Sequence, residues 1–180
     1  MYAIISHRWA QASQEVSYRE YCLTLEDEGD LLPREICRRD AVEDRTGYKK
    51  IDDACAFAPQ RGFDYIWIDT CCIDNRSSAQ LSEAINGMWA WYFNAGDCVV
   101  YLADVQPRQK GQHVKPADLA RSSWFTRCWT SQELLAPRQH TFCAAAWQVF
   151  FTNVKHQLQP KSDPRMSNAV LPVMLSISVC

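Results

Sequence analysis

Short apolar runs alternate along the chain with segments of helical spacing. Four runs have the β-branched and aromatic content of buried strands, at residues 2–6, 63–69, 98–104 and about 140–144. They are too apolar for strands with one wet face, which favours strands covered on both sides. The alternation therefore predicts an α/β fold, a parallel sheet with helices on both faces and right-handed crossovers.

Two helices are predicted between these strands, at residues 47–59 and 77–94. Ser77 and Gln80 have the spacing of a capping box at the start of the second. Its stripe with 3.6-residue spacing is expected to face the core: Leu81, Ala84, Ile85, Met88, Trp91 and Tyr92. Residues 11–30 fit a helix or an irregular connection, and residues 31–46 are predicted to be a loop with one helical turn.

A further short helix is predicted at residues 122–137, where serines cap the start and Pro137 prevents continuation. Phe125, Trp129 and Glu133 recur every four residues, which would place them on one face. A carboxylate one turn after an indole makes Glu133 the first candidate functional residue.

The remaining candidates follow the strands. In open α/β sheets, ligands bind outside the carboxyl ends of the strands. This rule gathers the following residues at one rim: His7, Arg8, Trp9, Asp69 to Asp74, Asp104, Trp129 and Glu133.

Composition narrows the function classes. With 180 residues the chain fits one domain, predicted at 1–150 with an irregular tail at 151–180. A net charge of −2 argues against nucleic acid as a partner, and the absence of a run of about 18 apolar residues argues against a membrane span. Nine cysteines without a C-x-x-C pair or a secretion signal favour a cytoplasmic protein with reduced thiols and no bound metal.

Several motifs resemble the fungal heterokaryon-incompatibility (HET) domain over residues 2–147. They are YAIISHRW at 2–9, EVSY at 15–18, YIWIDTCCID at 65–74, AIN at 84–86 and WFTR at 124–127, followed by WT at 129–130 and QEL at 132–134. The resemblance implies a role in non-self recognition between fungal individuals that ends in programmed cell death. Larger relatives carry a separate sensing region.

The HET domain is in turn similar to the TIR domain, some members of which hydrolyse NAD. This likeness implies a flavodoxin-like or TIR-like fold. It places the catalytic glutamate on Glu133, with Trp129 one turn before it, and makes NAD a substrate, with no cofactor. Ser6, His7, Arg8, Trp9, Asp69, Asp74, Asp104 and Trp129 are then the expected substrate-binding residues, with Arg8 on the phosphates.

Alternatives remain for most of these residues. Glu133 fits equally an ion pair with Arg127 or Arg138, and Asp69 and Asp74 fit caps of the following turns. His7 fits a general base or a satisfied structural histidine, and Trp129 a packing residue. Cys71 and Cys72 have no histidine and Asp/Asn arrangement that would activate a nucleophile.

Two alternatives to the enzyme remain. One is a death-signalling module that self-associates, or binds an incompatibility-protein partner, through exposed aromatic residues. The other is an inactive truncated fragment, suggested by the loss of the family pattern at 150–180. A Glu133 that faces a pocket would favour the enzyme, and one turned outward onto an apolar patch would favour assembly.

Overall fold

The computed structural model describes residues 1–107, 109 and 114–155. Within them a five-stranded sheet is built from β1 (Tyr2–His7), β2 (Tyr65–Trp67), β3 (Asp97–Leu102), β4 (Gln139–Ala144) and β5 (Val149–Val154). The order is β2-β1-β3-β4-β5, with the first four strands parallel and β5 antiparallel to β4. The α/β prediction is confirmed, and this order is that of flavodoxin-like sheets.

The fifth strand differs from the expectation. Its sequence, VFFTNV, has no clean alternation and is mostly exposed, so sequence periodicity gave little signal. The boundary expected at residue 150 falls inside it. The remainder of the predicted tail, residues 156–180, lies outside the described residues.

Seven α-helices are described: α1 (Tyr18–Thr24), α2 (Pro33–Glu43), α3 (Thr46–Gln60), α4 (Asp69–Cys72), α5 (Ser78–Asn94), α6 (Pro116–Ala120) and α7 (Thr130–Leu135). Helices α3 and α5 confirm the predictions at 47–59 and 77–94. The hydroxyl of Ser77 accepts a hydrogen bond from the Gln80 amide at 3.3 Å, as the capping motif indicated. Short 3₁₀ turns lie at Glu28–Asp30, Ser123–Thr126 and Ala145–Trp147.

The loop predicted at 31–46 is wrong, because α2 occupies most of it. Pro33 stands at the first position of the helix, where its missing N–H costs nothing. The Glu35 carboxylate accepts the Leu32 amide at 2.9 Å and closes the helix start. Val42 is the one buried residue of α2, which explains the absence of a clear apolar period.

Helices cover both faces of the sheet, as predicted. On β1, Ala3 and Ile5 pack into a core with residues of α1, α2 and α3. The alternate residues Tyr2 and Ile4 pack into a second core with Trp91 of α5. All six residues of β1 are buried, so this strand is the centre of the fold.

The single helix predicted at 122–137 is wrong. The segment is a 3₁₀ turn at Ser123–Thr126, an extended residue Arg127 (φ −91°, ψ 141°) and the separate helix α7. The break follows from tertiary contacts, since Thr130 Oγ1 donates to the Trp124 carbonyl at 2.7 Å while Trp124 is buried in the core. Phe125 is thereby separated from the turn that carries Trp129 and Glu133, which are 43% and 4% exposed.

The core-facing stripe of α5 is only partly confirmed. Ala84, Trp91 and Tyr92 are buried, whereas Leu81 and Ile85 are 37% and 48% exposed. Their apolar side chains border a cleft, which sequence spacing cannot distinguish from a core.

Within the described residues, every helix is too short or too polar to cross a bilayer. The cysteines of this part of the chain all carry free thiols.

Gly47 generates a testable prediction about the fold. A Cβ at this position would lie 2.3 Å from the Gln14 carbonyl oxygen and 3.0 Å from the Glu15 Cα, because α3 starts directly against that loop. Replacement by alanine must displace backbone, so Gly47→Ala is expected to lower the free energy of unfolding by about 1–3 kcal/mol. Urea denaturation of the variant and wild type measures this.

The matched control is Gly29→Ala, because a Cβ there meets nothing within 4 Å. This control is expected to stay within about 0.5 kcal/mol of wild type. Equal stability of the two variants would contradict the close packing of α3 on the loop.

Candidate functional site

A cleft of about 480 Å³ opens at the carboxyl end of the sheet. Four segments form it: the loop after β1, the loop after β2, the start of α5 and the region around α7. Its lining includes Trp9, Glu15, Val16, Glu20, Asp69, Thr70, Ile73, Leu81, Ile85, Met88, Arg127, Trp129 and Glu133. Apolar walls with a few converging polar groups are typical of small-molecule sites.

Glu133 is held in this cleft by a chain of hydrogen bonds. Trp124 Nε1 donates to Ser6 Oγ at 2.7 Å, and Ser6 Oγ donates to Glu133 Oε2 at 2.5 Å. Because an indole nitrogen can only donate, the serine proton is directed to the carboxylate. Ser6 is fully buried, and its hydroxyl is already bonded to both Trp124 and Glu133, so it positions Glu133 and does not meet a ligand itself.

Arg127 is the cationic partner of Glu133. Its Nη2 lies 3.6 Å from Glu133 Oε1, and its Nη1 donates to the His7 carbonyl. Arg138, the other partner considered, lies with its guanidinium carbon 4.8 Å from the centre of the Phe93 ring. Glu133 is therefore both ion-paired and directed into the cleft.

Burial raises the pKa of Glu133 above its ordinary value, since the charged form loses contact with water. The Ser6 hydrogen bond and the Arg127 charge oppose this shift. The carboxylate is thus desolvated yet retains partners that favour ionisation.

Asp69 and His7 form a second polar group beside Glu133. Trp9 Nε1 donates to Asp69 Oδ2 at 2.8 Å, so two of the predicted substrate-binding residues are hydrogen-bonded to each other. Burial, with a contribution from the nearby charge of Glu133, raises the pKa of Asp69 to about 6 against the effect of the Trp9 hydrogen bond. Burial lowers the pKa of His7 well below its ordinary value, with Lys50 and Arg127 adding to the effect, so the ring is neutral at pH 7.

His7 is 2% exposed, and Nε2 lies 3.8 Å from Asp69 Oδ1, beyond hydrogen-bond distance. Neither ring nitrogen has a hydrogen-bond partner in the described part of the chain. His7 does not line the cleft, and its ring lies buried beside Asp69.

Arg8 and Asp104 lie outside the main cleft. Both border a smaller cavity of about 240 Å³, which shares Trp9 with the larger one. Arg8 donates to the Ser123 carbonyl at 3.1 Å. Asp104 accepts from the Ser122 hydroxyl at 2.7 Å and the Ser123 amide at 2.7 Å, and these bonds lower its pKa although burial opposes them.

Asp74 is also separate from the cleft. Its carboxylate lies 3.6 Å from Arg19 and accepts the Arg76 amide at 3.1 Å. This is the turn-capping role that sequence analysis left open. Trp129 does line the cleft, and its 43% exposure does not fit a core packing residue.

Sequence reasoning missed Glu15 and Glu20 as cleft residues. Each forms an ion pair with a basic side chain: Lys50 Nζ lies 2.7 Å from Glu15, and Arg45 Nη1 lies 3.0 Å from Glu20. Ser17 and Glu20 have the S-x-x-E spacing, and the Glu20 carboxylate accepts the Ser17 amide at 3.0 Å. That signal predicts a helix start and gives no indication of a ligand site.

Comparison with known proteins identifies relatives. Residues 2–117 match the model of the heterokaryon incompatibility protein (HET) family. The chain is similar to the Vegetative incompatibility protein HET-E-1 of Podospora anserina, with 38% identity over 144 residues, which is 78% of this chain. It spans only 9% of that relative's length. No solved structure matches the chain.

The raised pKa of Asp69 predicts how stability depends on pH. The folded state binds this proton more tightly than the unfolded state, so stability is highest at low pH and falls as pH rises from 3.8 to about 6. Asp69→Asn removes the titration. At pH 7.5 its free energy of unfolding is expected to exceed that of wild type by on the order of 1–3 kcal/mol, with no difference at pH 4.

Urea denaturation at the two pH values measures this effect. Asp53→Asn is the matched control, because Asp53 pairs with Lys49 on α3 and borders none of the described cavities. A gain for Asp69→Asn that is the same at both pH values would contradict the raised pKa.

Proposed function

This chain belongs to the heterokaryon incompatibility (HET) family, and on that premise we propose that it hydrolyses NAD at the nicotinamide–ribose bond. The observation that carries the proposal is the buried carboxylate of Glu133, which borders the cleft while Ser6 and Arg127 fix its position. The proposed role is in fungal non-self recognition, with programmed cell death following from NAD loss.

The reaction needs few groups. The bond between the nicotinamide nitrogen and the ribosyl carbon breaks, its electron pair neutralises the pyridinium ring, and water adds to the carbon with release of a proton. The products are nicotinamide and ADP-ribose. Positive charge therefore moves from the ring to the ribose, and a fixed carboxylate beside the ribose stabilises that charge as it develops.

The cleft suits the nicotinamide end of the substrate. Its volume of about 480 Å³ lies within the range of small-molecule sites, roughly 300–1,000 Å³. Trp9 and Trp129 offer aromatic surfaces to the flat ring, and the surrounding carboxylates favour a cation. The nicotinamide ring carries the positive charge when it binds, and the ribose takes up that charge as the bond breaks. We therefore assign Glu133 to the ribose.

We also propose a cellular compartment and an activating partner for the reaction. The name of the Podospora relative refers to vegetative incompatibility, and this chain spans 9% of that protein. We place the domain in the cytoplasm, where NAD is abundant, with an incompatibility protein as the activating partner. A TIR-like kinship agrees with the strand order, which is shared by many flavodoxin-like folds.

A second candidate is a non-enzymatic module that signals death by assembly with further copies of itself. Phe125 and Trp129 are 46% and 43% exposed, and Leu135 of α7 is 64% exposed. Exposed apolar groups of this kind mark interaction surfaces when they are contiguous. The two candidates differ in whether NAD is consumed.

Glu133→Gln tests the enzyme directly, because it keeps the side-chain shape and removes the charge. Wild-type protein at high concentration is expected to release nicotinamide from NAD, and the variant to be slower by about 100–1,000-fold. Chromatography of NAD and nicotinamide over time measures both. Glu43→Gln is the matched control, because Glu43 is exposed on α2 and pairs with Arg39 at 3.8 Å.

If wild type leaves NAD intact while its expression still kills fungal cells, the enzyme is excluded and assembly is supported. If Glu133→Gln retains full hydrolysis, the assignment of Glu133 is wrong.

Ser6→Ala tests the positioning of Glu133. Loss of the 2.5 Å hydrogen bond removes an interaction that favours the ionised carboxylate, so the pKa of Glu133 is expected to rise further. The acid limb of the pH profile of kcat/KM for NAD hydrolysis should therefore move to higher pH, with activity recovering at pH 8.5. Stability should fall by about 1–3 kcal/mol, because Trp124 Nε1 is left without its acceptor.

The pH dependence of kcat/KM is the measurement. Ser82→Ala, at an exposed position of α5, is the control and should match wild type. An unchanged acid limb for Ser6→Ala would show that this serine does not tune the carboxylate.

A further inference from the structure

Three polar side chains at or beside the cleft have buried atoms without a partner among the described residues. His7 Nδ1 and Nε2, Asp69 Oδ1 and Thr70 Oγ1 are buried atoms with no hydrogen-bond partner in the described residues. Buried polar groups in folded proteins are bonded in roughly nine cases of ten. The unpaired atoms of these side chains therefore call for a small bound molecule that supplies the missing bonds.

The geometry fits one small polar molecule. His7 Nε2 and Asp69 Oδ1 are 3.8 Å apart, too far for a direct hydrogen bond and close enough for one water oxygen to bond to both. Asp69 and Thr70 line the same cleft as Glu133. A water in this place would bind to Asp69, which lines the same cleft as Glu133.

Asp69 differs from the other carboxylates that follow strands. Asp74 and Asp104 each accept a backbone amide and act as caps. Asp69 Oδ2 accepts the Trp9 indole, and Oδ1 is left directed at His7. Asp69 Oδ1 thus lacks a partner among the described residues, while Trp9 of the cleft wall fixes the position of the carboxylate.

We propose that His7 and Asp69 hold the water that attacks the ribosyl carbon, and that Asp69 accepts its proton. This rests on the proposed NAD hydrolysis and adds a second catalytic carboxylate to it. Glu133 stabilises the ribosyl cation, Asp69 is the general base, and neutral His7 orients the water.

The step balances without a further reagent. The water oxygen forms a bond to the ribosyl carbon as the bond from that carbon to nicotinamide breaks, and the electrons of the broken bond remain on the ring nitrogen. One water proton passes to Asp69, which later releases it to solvent. The other stays on the new hydroxyl of ADP-ribose.

The surroundings keep Asp69 able to accept a proton at neutral pH. Its charged and titratable neighbours are Glu133 and Arg127 near α7, Lys50 of α3, His7 of β1, Cys71 of α4 and Tyr92 of α5. Burial and Glu133 raise its pKa to about 6 against Arg127 and Lys50. A base with a pKa just below the working pH is mostly ionised and still accepts protons well.

Base exchange separates the two carboxylates. A pyridine such as 3-acetylpyridine can replace nicotinamide on the ribosyl group, and its nitrogen attacks without losing a proton. Exchange therefore needs the cation-stabilising Glu133 and no general base. We would measure hydrolysis and exchange from the same NAD samples, with wild type, Asp69→Asn, Glu133→Gln and the control Asp53→Asn.

Asp69→Asn is expected to lose hydrolysis by about 100-fold while exchange stays within about threefold of wild type. Glu133→Gln should lose both reactions, and Asp53→Asn neither. Retained exchange also shows that the Asp69 variant is folded. In wild type, hydrolysis should show an acid limb near pH 6 from Asp69, in addition to the Glu133 limb that it shares with exchange.

Equal loss of both reactions in Asp69→Asn, or loss of neither, overturns the assignment while NAD hydrolysis stands. If Asp69→Asn does not fold, identical pH profiles for wild-type hydrolysis and exchange overturn it instead. Wild type that performs neither reaction overturns the proposed function and this inference together.

Discussion

The structure depends on the placement of one carboxylate in an apolar interior. Removal of an ionised carboxylate from water costs several kcal/mol unless hydrogen bonds and an opposite charge compensate. For Glu133 the hydrogen bond comes from Ser6 on the central strand, and the opposite charge comes from Arg127, the extended residue between the 3₁₀ turn and α7. Trp124, buried beside them, fixes the serine in turn. The path of the chain from residue 122 to 135 is the path that these bonds require.

The central strand serves both sides of the site because side chains alternate along it. Ser6 lies on the side of Ile4, whose core includes Trp124, and binds Glu133. His7 lies on the side of Ile5, whose core includes α3 residues, and faces Asp69. Two adjacent residues at the carboxyl end of one strand thus reach two acidic groups from opposite faces of the sheet. A shift of one residue in the register of β1 would turn both side chains to the opposite faces of the sheet, away from their acidic partners.

The sequence predicted those parts whose pattern is local. The first four strands, α3 and α5 followed from apolar runs and helical spacing, and the rim followed from the rule that loops after parallel strands meet. The break at Arg127 could not be predicted, because it depends on bonds to His7 and a hydroxyl contact from Thr130 to Trp124. Ser6 was expected to bind substrate, and only the indole of Trp124, more than a hundred residues away in sequence, shows that it positions Glu133. The apolar stripe of α5 was divided between core and cleft by the end of the sheet, which spacing does not encode.

The Ser6–Glu133 hydrogen bond also determines when the site can exist during synthesis. Its two residues are separated by 127 positions, so the first strand leaves the ribosome long before its carboxylate partner has been made. Contacts of such long range close late, because the intervening chain must be ordered first. A growing chain therefore holds Ser6 and His7 ready but lacks Glu133 until most of the sheet has formed. If the domain carries out the proposed hydrolysis, this order of synthesis keeps it inert while it is being made.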